Sequence, residues 1–96
     1  MRLSEHERDV IREAATEVFG PDVRVMLFGS RVDDTKRGGD IDLFVEPSDS
    51  ADIITKKIRL AAQLQIRLGE QKIDIVVAAD STRLIEQEAR RTGVVL

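Results

Sequence analysis

The chain has 96 residues, 42% of them hydrophobic and 34% charged, with 15 Lys+Arg against 18 Asp+Glu and a net charge of −3. That length suits one compact domain, residues 1–96, and the charge balance excludes the basic footprint that a sequence-independent grip on long nucleic acid requires. With no cysteine and a single histidine, His6, disulfides, thiolate metal sites and histidine-rich metal centres are excluded too.

The first ten residues are too charged for a signal peptide, and no run approaches the ~20 apolar residues of a membrane span, so a cytoplasmic protein is expected. Ser4 and Glu7 have the spacing of a capping box. Val10, Ile11, Ala14, Ala15, Val18 and Phe19 follow at one-face spacing, which predicts an amphipathic helix over 4–19, with His6 on its exposed side. Gly20-Pro21-Asp22 stops it. Residues 23–28 are β-branched and apolar and read as a strand. The polar stretch from Gly29 to Gly39 holds three glycines and reads as a loop. A second strand spans 40–46 and ends at Pro47, and the short connection predicts an antiparallel pair.

Ser48-Asp49-Ser50 has turn and cap chemistry. A second helix is expected over 51–68, with Ile54, Ile58, Ala61, Ala62 and Leu68 facing inward and Gly69 capping it. Residues 72–78 form a third strand. Asp80 or Ser81 can cap a third helix with a narrow apolar stripe of Leu84, Ile85 and Ala89, and Arg90 and Arg91 in its last turn suit the helix dipole. Gly93 ends it, leaving Val94-Val95-Leu96 as an edge strand or a docking tail. Phe19, Phe28 and Phe44 fit core positions. The expected architecture is α/β (α+β): a small mixed sheet of three to four strands with helices packed on it.

Three aspartates stand where buried strands do not tolerate charge: Asp40, Asp42 and Asp74. Side chains alternate along a strand, so Asp40 and Asp42 share one face, roughly 6.5–7 Å apart, while Ile41, Leu43 and Val45 point into the core. With strand three beside strand two in suitable register, Asp74 joins them. Such a cluster repels itself unless cations neutralise it. Oxygen-only ligands suit Mg²⁺ or Mn²⁺ rather than zinc. Two ions held this way can activate an attacking oxygen and stabilise a leaving one in a phosphoryl displacement. Without ions, the same carboxylates would cap loops or pair with arginines at the sheet edge. Gly29-Ser30, at the end of strand one, offers close backbone approach and a hydroxyl donor to a phosphate.

The order Gly29-Ser30, then Asp40-Ile41-Asp42, then Asp74 on a later strand resembles the nucleotidyltransferase superfamily of DNA polymerase β, and its minimal members in particular. The resemblance runs from Val23 to about Val77, and the final helix with Gly93-Val94-Val95-Leu96 is similar as well. It implies a nucleotidyltransferase fold in which Asp40 and Asp42 coordinate both metal ions. Asp74 would complete the catalytic metal site and help deprotonate the acceptor hydroxyl. Gly29 and Ser30 would hold the β- and γ-phosphates of ATP or another nucleoside triphosphate, and Arg31 is the loop cation best placed to join them. The reaction implied is transfer of a nucleoside monophosphate, AMP in the first instance, with release of pyrophosphate.

The chain departs from many minimal members after Arg31. It reads Val32-Asp33-Asp34-Thr35-Lys36-Arg37-Gly38-Gly39 where they carry Ala-Arg-Gly, and Gly39 replaces a serine before the aspartate pair. Minimal members are frequently encoded beside a small helical partner of the HEPN type, in some cases a toxin ribonuclease that the transferase adenylylates as its antitoxin. The resemblance therefore implies a helical protein partner that supplies the hydroxyl acceptor. The alternative is a regulatory or antitoxin subunit that acts by binding its partner, with a non-catalytic nucleotide site.

Overall fold

The computed structural model describes residues 3–29, 40–69 and 71–96. Helix α1 spans Glu5–Phe19, and strands β1 and β2 span Arg24–Phe28 and Ile41–Glu46. Helix α2 follows over Ile53–Leu68, then strand β3 over Ile73–Val77, helix α3 over Leu84–Thr92 and a short strand β4 over Val94–Val95. The strands form one mixed sheet in the order β3-β2-β1-β4. β1 pairs antiparallel with β2 and with β4, whereas β2 and β3 are parallel, joined by α2. Among the described residues this is an α+β fold, three helices on a four-stranded mixed sheet.

Each end of α1 is set by local chemistry. The Ser4 hydroxyl accepts from the Glu7 N–H at 3.1 Å, and the Glu7 carboxylate accepts from the Ser4 N–H at 3.1 Å, so two otherwise orphaned donors are satisfied. At the other end the Gly20 N–H reaches Thr16 O, with φ +102°, a conformation that excludes most side chains. The buried face of α1 is the one its periodicity predicts: Val10, Ile11, Ala14, Ala15, Val18 and Phe19.

One face of the sheet, carrying Val25, Leu27, Ile41, Leu43, Val45, Ile75 and Val77, packs under α1 and α2 as the main core. Met26, Phe28 and Phe44 point the other way and pack against Ala89 of α3, with Val76 and Ala78 at the margin. The three aromatic rings are all buried, as their positions suggest. The carboxylates lie on the second, less covered face, because Asp42 alternates with Leu43 and shares its side with Phe44.

Two expected helix faces are corrected. On α2 the buried residues are Leu60 and Leu64, with Ile53, Ala61 and Leu68 packed beside them. Ile54 and Ile58 are 76% and 64% exposed, and Ala62 faces solvent. The helix is apolar around most of its circumference, so periodicity alone admits two stripes. Burial of Leu60 and Leu64, roughly 2 kcal/mol each, decides for the one centred on the sheet. The helix starts at Ile53, not at residue 51: Asp49 closes an Asx-type turn onto the Ala51 N–H, and Asp52 adopts a left-handed conformation without capping through its side chain.

Helix α3 is also displaced. Its N-cap is Arg83 rather than Asp80 or Ser81, and Leu84 is 82% exposed while Ile85 is partly so. Asp80 instead accepts from the N–H and hydroxyl of Thr82, which lowers its carboxyl below the usual value. The face that α3 buries is Glu86 and Ala89. Glu86 is fully enclosed and accepts from the Ala79 and Asp80 N–H groups, with Arg83 at 3.3 Å and Arg90 at 3.8 Å. A buried carboxylate with two backbone donors and two guanidinium neighbours is satisfied, and it ties the start of α3 to the end of β3. Arg90 also lies over the Phe44 ring at 5.0 Å, which fixes the helix to the sheet.

Candidate functional site

The register of the sheet brings the aspartates together. Phe28 of β1, Asp42 of β2 and Asp74 of β3 are direct partners across three adjacent strands. Asp42 and Asp74 are register partners on parallel strands and so point to the same face as neighbours. Burial raises the pKa of Asp42 above its ordinary value; the negative charges of Asp74 and Asp40 add to the rise, and Lys72 opposes it. The fold therefore holds two carboxylates together against their mutual repulsion, a state that a hard cation relieves as well as a proton does.

Asp40 stands just before β2, half-buried. Its Oδ2 lies 3.6 Å from Lys72 Nζ, an ion pair open to solvent on both sides and hence weak. The pairing follows from the ladder: the Ile41 N–H donates to Lys72 O at 2.9 Å, so Lys72, just before β3, lies beside Asp40. Among the described residues no three acidic groups converge to enclose an ion. Asp42 and Asp74 meet; Asp40 turns to the lysine. The donor set fits a divalent cation through the Asp42–Asp74 pair, with Asp40 flanking it.

Gly29 immediately follows β1 with φ +79°. A Cβ there would collide with Asp42 Oδ2 and lie 3.1 Å from Asp42 Cγ. The first carboxylate of the pair occupies the space that a side chain at Gly29 would fill. Ser30 and Arg31, the other expected phosphate contacts, lie outside the described residues, as does the loop 32–39 with Lys36 and Arg37.

Lys72 is the residue that sequence reasoning passed over. Its signal was present, since strand alternation puts it on the same face as Asp74 two positions later. An exposed lysine at a strand start reads as surface until the register places it beside an aspartate. His6 is exposed on α1 and takes no part in the site.

No curated protein matches the chain. The family model described as Polymerase beta, Nucleotidyltransferase matches residues 17–96, a span that covers the whole sheet, Gly29 and all three aspartates. The strand register that aligns Asp42 with Asp74 beside Gly29, and the match over most of the length, lead to one assignment: the chain belongs to the polymerase β nucleotidyltransferase family.

Proposed function

We propose that the chain is a metal-dependent nucleotidyltransferase that moves a nucleoside monophosphate, AMP from ATP, onto a hydroxyl acceptor and releases pyrophosphate. The observation that carries this reading is the Asp42–Asp74 pair, held in register on adjacent strands with the Asp42 carboxyl pushed up by burial and by its neighbours. In it Asp42 and Asp74, flanked by Asp40, would hold Mg²⁺ or Mn²⁺, and the ion would supply charge neutralisation at the reacting phosphate and a lowered pKa for the acceptor hydroxyl. Asp74 is the more exposed of the pair and takes the acceptor proton. Gly29, Ser30 and Arg31 orient the β- and γ-phosphates, so that pyrophosphate leaves in line with the attack. Lys72, paired with Asp40 at 3.6 Å, orients that carboxylate beside the Asp42–Asp74 pair.

The acceptor is carried by a small helical partner of the HEPN type, and turnover depends on that subunit. The test is incubation of the chain and its partner with ATP labelled at the α- or the γ-phosphate, in Mg²⁺ or Mn²⁺. Label should pass to the partner from the α-position only, and Asp42→Asn should abolish it. Transfer that survives Asp42→Asn combined with Asp74→Asn, or transfer of the γ-label, contradicts the proposal.

A second reading has one observation in its favour. The Lys72 ammonium sits against Asp40 where a cation is expected, the arrangement of a site that binds without turning over. In that reading the chain is an antitoxin or regulatory subunit that neutralises its partner by association. Neutralisation retained by the Asp42→Asn, Asp74→Asn variant selects this reading; neutralisation lost with the complex intact selects catalysis.

A further inference from the structure

The sheet ends in β3 on one side and the two-residue β4 on the other, so β3 is its longer edge among the described residues. The ladder fixes which of the groups of β3 are free. Lys72 O accepts from the Ile41 N–H, and the Ala78 N–H donates to Val45 O at 2.8 Å. The even-numbered residues of β3 therefore turn their backbone groups to β2. Those of Ile73, Ile75 and Val77 face outward, where no strand among the described residues pairs with them.

Beside that edge, between β3 and α2, runs a groove of about 430 Å³. Ile54 and Ile58 of α2 and Ile75 and Val77 of β3 line it, and the two helix residues are the ones left 76% and 64% exposed. Its charged lining is cationic, Lys57 and Arg83, with no carboxylate among the lining residues. Arg83 shares its charge with Glu86, whereas Lys57 has no ion pair among the described residues. The whole of α2 follows the same pattern: Lys56, Lys57, Arg59 and Arg67 with no acidic residue, in a chain whose net charge is −3.

We propose that this groove is a strand-addition site for an acidic, apolar-anchored extended segment of a partner protein. Such a segment pairs with the outward backbone groups of Ile73, Ile75 and Val77 and extends the sheet. Every second side chain then drops onto Ile54, Ile58, Ile75 and Val77, and acidic side chains meet Lys57 and Arg83. Charge decides against a second copy of this chain as the occupant. Pairing two β3 edges about a two-fold axis lays α2 beside its own copy and brings two wholly cationic helices together. The apolar anchors Ile75 and Val77 lie on the α2 side of the sheet, opposite Asp42 and Asp74, and neither aspartate lines the groove. The proposal is separate from the transferase reading, and its test reads binding alone.

The probe is a synthetic octapeptide of alternating valine and glutamate, N-methylated along one edge so that it cannot stack on itself, with the valine–lysine peptide as its counterpart. Amide and methyl NMR spectra of the full chain are followed during titration. The glutamate peptide is expected to saturate, shifting the Ile73, Ile75 and Val77 amides and the Ile54 and Ile58 methyls, and to bind about tenfold more tightly than the lysine peptide. Lys57→Glu should reverse that preference, and Ile58→Ser, at an exposed position that leaves the fold intact, should weaken both. Equal binding of the two peptides, saturation at another surface, or no saturation by either overturns the proposal. So does a concentration-dependent dimer in sedimentation equilibrium that Ile58→Ser abolishes.

Discussion

Asp42 is the residue at which stability and the proposed function pull apart. Its folded pKa is raised above the ordinary 3.8, first by burial and then by Asp74 and Asp40. A raised carboxyl means that the folded state holds the proton more tightly than the unfolded chain does. The associated stability is fully present below the ordinary value and is lost as pH rises through the folded pKa. With a chelator present, Asp42→Asn is therefore expected to melt at a higher temperature than the wild type at pH 7, with the gap closing as pH falls toward 4. A variant that melts lower at pH 7 would contradict the account of the pair. Gly29 makes the complementary prediction: Gly29→Ala meets Asp42 Oδ2 and a φ of +79°, and should cost about 1–2 kcal/mol in denaturant unfolding. Unchanged stability would mean that the carboxylate is not seated against the glycine.

At the scale of elements, α2 shows what the sequence left open. Its residues are apolar at 53, 54, 58, 60, 61, 62, 64, 66 and 68, and a helix that apolar has no unique inner face until the sheet supplies one. Leu64→Ala should cost about 2–5 kcal/mol, whereas Ile66→Ala, at a residue 83% exposed, should change stability by less than about 0.5 kcal/mol. Comparable losses at both positions would put the wrong face of α2 on the sheet. By contrast α1 and all three long strands were legible, because the capping box, the single apolar stripe and the Ile41-Leu43-Val45 alternation each admit one reading. The start of α3 was not. Capping preference pointed to Asp80 or Ser81, but Glu86, taken into the interior to bind two backbone N–H groups, moves the helix start to Arg83.

For the whole molecule, two short-range motifs on different strands become one site only through the parallel pairing of β2 and β3. Asp40 and Asp42 are linked by sequence; Asp74 is linked to them by α2, which returns the chain so that Asp74 lands directly opposite Asp42. The family motif made that register readable, while the ion pair between Lys72 and Asp40 needed the sheet itself. The carboxylates and the apolar anchors of the cationic groove lie on opposite faces of the sheet, so the proposed transfer and the proposed docking need not compete for surface. Manganese tests the central claim most directly, through paramagnetic broadening of amide NMR signals in the presence of ATP. Broadening centred on Gly29, Asp42 and Asp74, and abolished by Asp42→Asn, is the predicted result. Broadening centred elsewhere, or unchanged in that variant, would contradict the assignment of the carboxylate pair as the cation site.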